Sequence, residues 1–204
     1  FFRRYPGVFD EVCYTGTGSD HSESHNLGVT PEIVLIKCRS DISTSWQLSH
    51  SYDYSKFLYF HATDPAYNAG TRFGTPNSTS FSIGLDNNTV NRTFIAYLFA
   101  TKAGVSKVFS YTGNGTNQTI NCGFAAGARF VLIKRTDSIG DWFVWDSTRG
   151  IVAANDPHLS LNTTVAEVTT DDSVDPDNSG FIVNQLAATD IKVTGATYIY
   201  LSFA

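Results

Sequence analysis

The sequence predicts an all-β chain built as two tandem β-sandwiches of the jelly-roll kind, related by internal duplication. Three observations carry that expectation. The apolar run Ile33-Val34-Leu35-Ile36-Lys37 recurs 97 positions later as Phe130-Val131-Leu132-Ile133-Lys134, and each copy is followed by a polar turn and a tryptophan, Trp46 or Trp142. Aromatic residues make up 14% of the chain and methionine is absent, while Thr, Ser, Gly and Asn abound, a composition of strands and tight turns. Short strand signals also recur at spacings of about 8 to 15 residues, as in sandwiches and jelly rolls.

Taken in order, residues 1–6 read as a lead-in, residues 7–101 as the first sandwich, residues 102–107 as a linker and residues 108–204 as the second. The chain lacks an initiating Met, and Phe1-Phe2-Arg3-Arg4-Tyr5-Pro6 is no secretory signal, so it reads as a piece of something longer. Each copy opens with a strand, Val8 to Tyr14 or Val108 to Tyr111. A glycine turn follows, Thr15-Gly16-Thr17-Gly18 or Thr112-Gly113-Asn114-Gly115, read as a hairpin turn where Gly supplies positive φ. Five residues without alternation, four of them apolar, predict a central strand covered on both faces, with Lys37 or Lys134 where it emerges. Trp46 and Trp142 lie behind that strand in both copies and are expected in the cores. Trp145 stands where the first copy has Ser49. The copies then diverge over Ser51 to Gly74 and Thr148 to Asp177, and rejoin at Ser80-Phe81-Ser82-Ile83 and Gly180-Phe181-Ile182-Val183. Both close on a strand ending Phe-Ala.

Composition also excludes. A net charge of −5, with no basic cluster longer than Arg3-Arg4, leaves no footprint for nucleic acid. No apolar run approaches the ~20 residues that span a bilayer, so no membrane insertion is expected. Cys13, Cys38 and Cys122 have no counterparts between copies and read as small buried thiols kept reduced.

The motifs Tyr111-Thr-Gly-Asn-Gly115, Phe130 to Ser138, Asp141 to Gly150, Leu161 to Glu167, Gly180-Phe181 and Tyr198 to Ala204 together resemble a domain of unknown function. That family occurs in virion proteins of tailed bacteriophages, in large tail and fibre proteins, often in tandem and after a lectin-like LamG-type jelly roll. The resemblance covers all of copy two. In copy one it covers Tyr14 to Gly18, Ile33 to Lys37, Trp46 and the closing strand, whereas His50-Ser51-Tyr52-Asp53 replaces Asp-Ser-x-Arg-Gly. It implies a setting and no reaction: a virion structural protein, the C-terminal part of a tail fibre or related appendage. The protein would be assembled in the bacterial cytoplasm and exposed on the particle. Expected partners are copies of the chain in a homo-oligomer (a trimer is one option), other virion proteins and a host-surface glycan. A carbohydrate-binding module and a capsid decoration or head-fibre protein are the alternatives.

Chemistry is sparse. No Gly-x-Ser-x-Gly occurs and the histidines are scattered, so no catalytic residue and no cofactor are assigned. His21 and His25 lack a third ligand. Glu167 with Asp171 or Asp172 is the one carboxylate pairing a glycan-cleaving enzyme could use, and solvated loop acids are the favoured reading. Asp172, Asp175 and Asp177 have the oxygen density of a weak Ca²⁺ candidate, without EF-hand spacing. Tyr52, Tyr54 and Tyr67, flanked by Asp and Asn, are the candidate glycan contacts, because an exposed phenol offers an apolar face and a polar edge. Phe57, Tyr59 and Phe60 are expected in the core. Asp146 and Arg149 read as an ion pair tying a loop to the sandwich. The Asn-x-Ser/Thr sequences at Asn77, Asn87, Asn91, Asn114, Asn117 and Asn162 are read as chance in an Asn- and Thr-rich chain.

Overall fold

A computed structural model describes residues 3–184 and 188–204. Among them the only helical element is a 3-10 turn at Leu85–Asn88, and the strands pair antiparallel. The chain is all-β, and no helix of the described residues is long and apolar enough to cross a membrane. It divides into two compact units, one of residues 1–60 and 66–101, the other of residues 61–65 and 102–204.

The first unit contains β1 (Phe9–Thr15), β2 (His21–Ser24), β3 (Ile33–Cys38), β4 (Gln47–His50), β5 (Lys56–Tyr59), β6 (Tyr67–Asn68), β7 (Ser80–Ile83) and β8 (Thr93–Phe99). Its main sheet runs β1-β8-β3-β4-β5-β6, and β2 pairs with β7 separately. Phe81 and Ile83 of that hairpin meet Val34, Ile36, Phe94, Ala96 and Leu98 of the main sheet in one buried cluster, which makes the unit sandwich-like.

The second unit contains β9 (Ser106–Thr112), β10 (Gln118–Asn121), β11 (Phe130–Arg135), β12 (Trp142–Asp146), β13 (His158–Ser160), β14 (Val174–Asp177), β15 (Gly180–Val183) and β16 (Thr197–Phe203). The order here is β13-β12-β11-β16-β9, opposed by β10-β15-β14. Ile120, Val174, Phe181 and Val183 face Val131, Ile133, Trp145, Tyr198 and Tyr200 across the core. Truncating a ring as buried as Phe181 to Ala would cost about 3–5 kcal/mol.

The Tyr-Thr-Gly-x-Gly turns act as clamps. Tyr14 donates its hydroxyl to Asn87 O (2.8 Å) and Tyr111 to Ile191 O (2.7 Å), each reaching the loop before the last strand of its unit. Each ring stacks on that last strand, Tyr14 on Phe94 at 5.1 Å and Tyr111 on Tyr198 at 4.8 Å. Gly16 N bonds Arg92 O and Gly18 N bonds Asn88 O, while Gly113 N bonds Ala196 O and Gly115 N bonds Lys192 O. A Cβ on Gly16 would stand 2.1 Å from Thr89 O, and one on Gly113 2.3 Å from Val193 O. The first glycine is therefore required by close backbone approach. The second is required by its left-handed φ, +79° at Gly18 and +78° at Gly115.

Several expectations need correction. Lys134 does not emerge: it is fully buried, and its ammonium donates to Gly140 O (2.7 Å) and Thr63 O (2.9 Å). Burial lowers its pKa to about 8, partly opposed by Asp141 and Asp64. Lys37 makes the same return to its own following turn, donating to Thr44 O. Trp142 is buried as expected, but Trp46 lies just before β4, half-buried and stacked on Tyr97. Cys38 and Cys122 are buried free thiols, whereas Cys13 is exposed on β1.

Gly113→Ala is expected to destabilise the protein by about 3 kcal/mol or more, because the obstructing atoms are backbone. Tyr111→Phe should cost about 1–3 kcal/mol through the unpaired Ile191 carbonyl. Urea unfolding followed by tryptophan fluorescence measures both, and a Gly113→Ala midpoint equal to wild type would contradict the clamp.

Candidate functional site

Two places gather the residues that the sequence singles out. The first is the segment from Ser147 to Ser173 of the second unit, two loops on either side of β13, held by side-chain contacts along its length. Asp146 Oδ1 accepts Thr148 N (2.9 Å) and Arg149 N (3.0 Å), and Asp146 Oδ2 pairs with the Arg149 guanidinium. These hydrogen bonds favour the ionised carboxylate, and Asp146 has a lowered pKa although burial opposes it. Arg149 Nε continues to Glu167 Oε1 at 2.8 Å. Asn162 accepts Trp142 N and donates to Asp141, both at 2.7 Å, fixing the start of β12.

Within this segment lies a buried group the sequence did not reveal. Asp156 is fully buried and accepts two backbone N–H groups, Ser173 N at 2.7 Å and Val174 N at 2.8 Å. Burial nonetheless pushes its carboxyl up to about 7, with Asp171 and Asp172 adding to the rise and the two N–H bonds opposing it. His158, also buried, places Nδ1 3.2 Å from Asp171 Oδ1. Its pKa is lowered, burial outweighing the attraction of Asp171. Nothing in the local string Asn155-Asp156-Pro157-His158 signals this role, since both partners of Asp156 are backbone amides some 17 residues on.

Glu167 and Asp171 thus sit on different partners, Arg149 and His158. Of the cation candidates, Asp172 and Asp175 share the Asn184 amide, at 2.6 and 2.8 Å. Asp177 instead closes the β14–β15 hairpin by accepting Ser179 N and Oγ. Among the described residues no three His, Cys, Asp or Glu side chains stand where they could hold a metal ion together. His21 pairs with Glu23 at 2.9 Å, and His25, buried, bonds Asn77 O and Leu27 N.

The second place is the aromatic segment of the first unit. Tyr67 lies on edge strand β6 and is 41% exposed. It rests on Phe57 (5.7 Å between centroids) and Tyr59 (5.6 Å). Phe57 is in the core, as expected, while Tyr59 and Phe60 are half-buried. Tyr52 is exposed at the β4–β5 turn. Tyr54 commits its hydroxyl to Pro31 O at 2.8 Å, and burial pushes its pKa up to about 12. The three tyrosines therefore have different surroundings, and Tyr67 is the one that joins an aromatic cluster.

A family model described as a domain of unknown function, DUF7483, matches residues 6–204. The chain belongs to the DUF7483 family. No curated protein and no solved structure matches it. The family match embraces both units, including the turn where the first unit lacks Asp-Ser-x-Arg-Gly. There His50 Nδ1 accepts Tyr52 N at 2.9 Å, as Asp146 Oδ1 accepts Thr148 N, so an imidazole serves where the second unit uses a carboxylate. The two residues occupy the same register, His50 opposite Ile33 and Asp146 opposite Phe130.

Asp156 gives a pH dependence with a definite sign. Its folded pKa of about 7 exceeds the ordinary 3.8, so between these values the folded state binds more protons than the unfolded. Its contribution to stability is fully present below pH 4 and is lost as pH rises through 7. His158, with a lowered pKa, contributes the opposite slope below its ordinary 6.5. The difference in melting temperature between wild type and Asp156→Ala should therefore shrink from pH 5 to pH 8. A constant difference across that range would contradict the assignment.

Proposed function

We propose that this DUF7483 chain is a structural part of a bacteriophage virion, within a tail fibre or related appendage, exposed on the particle and contributing to host-surface contact. In this reading it consists of two tandem β-sandwiches descended from one by internal duplication, and it assembles as a homo-oligomer with other virion proteins. The observation that carries the reading is the recurrence of one stiff plan. The strand order β9-β16-β11-β12 repeats β1-β8-β3-β4, with the same tyrosine and glycine clamp in each unit. Serial repetition of a self-contained unit is how a shaft gains length, and the sequence resemblance to tail and fibre proteins supplies the setting.

The role is mechanical and adhesive, without catalysis. The acids a glycan-cleaving enzyme would place across a bond have different neighbours, Glu167 paired with Arg149 and Asp171 lying beside the buried His158. The exposed Tyr67 cluster favours the related reading of a carbohydrate-binding module as part of the same appendage.

Antibody raised against the chain should label the tail or its fibres in electron micrographs of the phage that encodes it. Labelling of the capsid alone would move the protein to a head-fibre or decoration role, and particles free of label would overturn the virion reading.

A further inference from the structure

We infer that the β5–β6 edge of the first unit is a contact surface for neutral saccharides, centred on Tyr67. This rests on the host-contact reading and names its ligand class. Three features of the edge combine. The Tyr67 ring is exposed yet held from beneath, with Phe57 tilted by 31° and Tyr59 edge-on at 63°. A ring fixed before binding gives up little conformational freedom when a sugar's C–H face stacks on it.

Hydrogen-bonding groups lie on the same strand as the ring and over the Phe57 ring beneath it. Asn68, the other residue of β6, accepts from Lys56 Nζ at 2.6 Å and keeps its amide N–H₂ as a donor. Arg72 lies over the Phe57 ring, 5.0 Å from its centroid, and is held by Asp86 through Nε at 3.1 Å and Nη2 at 2.9 Å. Such planar amide and guanidinium–carboxylate groups match the paired hydroxyls of a pyranose.

The third feature is charge. Lys56 lies close enough to Asp53 to help lower the pKa of that carboxyl, whose largest cause is the Ser55 hydroxyl, and Arg72 is matched by Asp86. Two cations face two carboxylates, so the edge has no surplus with which to select an acidic sugar.

The test uses the full chain against an array of neutral oligosaccharides of glucose, galactose and N-acetylglucosamine, with uronic-acid and sialic-acid oligosaccharides as the charged arm. Hits are followed by calorimetry. Neutral sugars should bind, Tyr67→Ala should weaken them about tenfold or more, and Tyr67→Phe should retain most of the affinity. Ile42→Ala, on the exposed β3–β4 turn, should bind like wild type. A blank array, binding confined to acidic sugars, or wild-type affinity in a folded Tyr67→Ala protein would each overturn the inference. The failures are separable: a blank array with antibody-labelled fibres leaves the virion role standing, whereas sugar binding by a chain missing from particles removes that role alone.

Discussion

The hydrogen bond from a buried tyrosine hydroxyl to a distant carbonyl is the constraint on which the rest of each unit depends. Tyr14 and Tyr111 sit near the ends of the first strands of their sheets and reach across 73 and 80 residues to the loop before the last strand. First and last strands are neighbours in each sheet, so this bond fixes the register of a pairing that must close late in the chain. Burial raises the pKa of both phenols well above the ordinary value, which keeps them protonated donors. The adjoining glycines let the two backbones come together closely enough for the bond to form.

The buried Lys134 extends the same principle. An ammonium in an apolar interior is costly unless its protons are taken up, and Lys134 finds two carbonyls. One belongs to its own following turn. The other, Thr63 O, also accepts Gly140 N, so one oxygen ties the segment of residues 61–65 to the second unit at two points. The run Phe-Val-Leu-Ile-Lys is thus a complete device, four apolar residues that fill space and a terminal cation that ties down the next turn.

Much of this was legible in the sequence, for stated reasons. Unbroken apolar runs with β-branched residues mark the central strands, and a Gly-x-Gly after a tyrosine marks a turn, because side-chain volume and positive φ are local properties; that the turn is no hairpin but a clamp between first and last strands depends on partners far along the chain. The buried state of Lys134 was not legible: a lysine at the end of a strand reads as a solvent-facing terminus unless its acceptors, one of them Thr63 O far back in the chain, are known. Asp156 was hidden for the same reason, since backbone amides leave no trace in sequence. Of the candidate tyrosines, exposure was readable for Tyr52 and Tyr67 from their Asp and Asn neighbours. The partial burial of Tyr54 follows from a bond to Pro31 that no pattern near residue 54 announces.

The Asn-x-Ser/Thr sequences take on meaning once the turns are seen. Asn77 accepts the N–H and hydroxyl of Thr79, and Asn114 does the same with Thr116. Asp41 with Ser43, Asp53 with Ser55 and Asp177 with Ser179 use a carboxylate in the same way. Each is a seal made by side chains two positions apart, independent of what the chain does afterwards. Evolution can therefore lengthen, shorten or rewrite a loop beyond such a seal without reopening the sheet it leaves. The two units of this chain show the outcome: they differ most over stretches such as 51–74 and 148–177, while the sheets those stretches leave keep the same strand order.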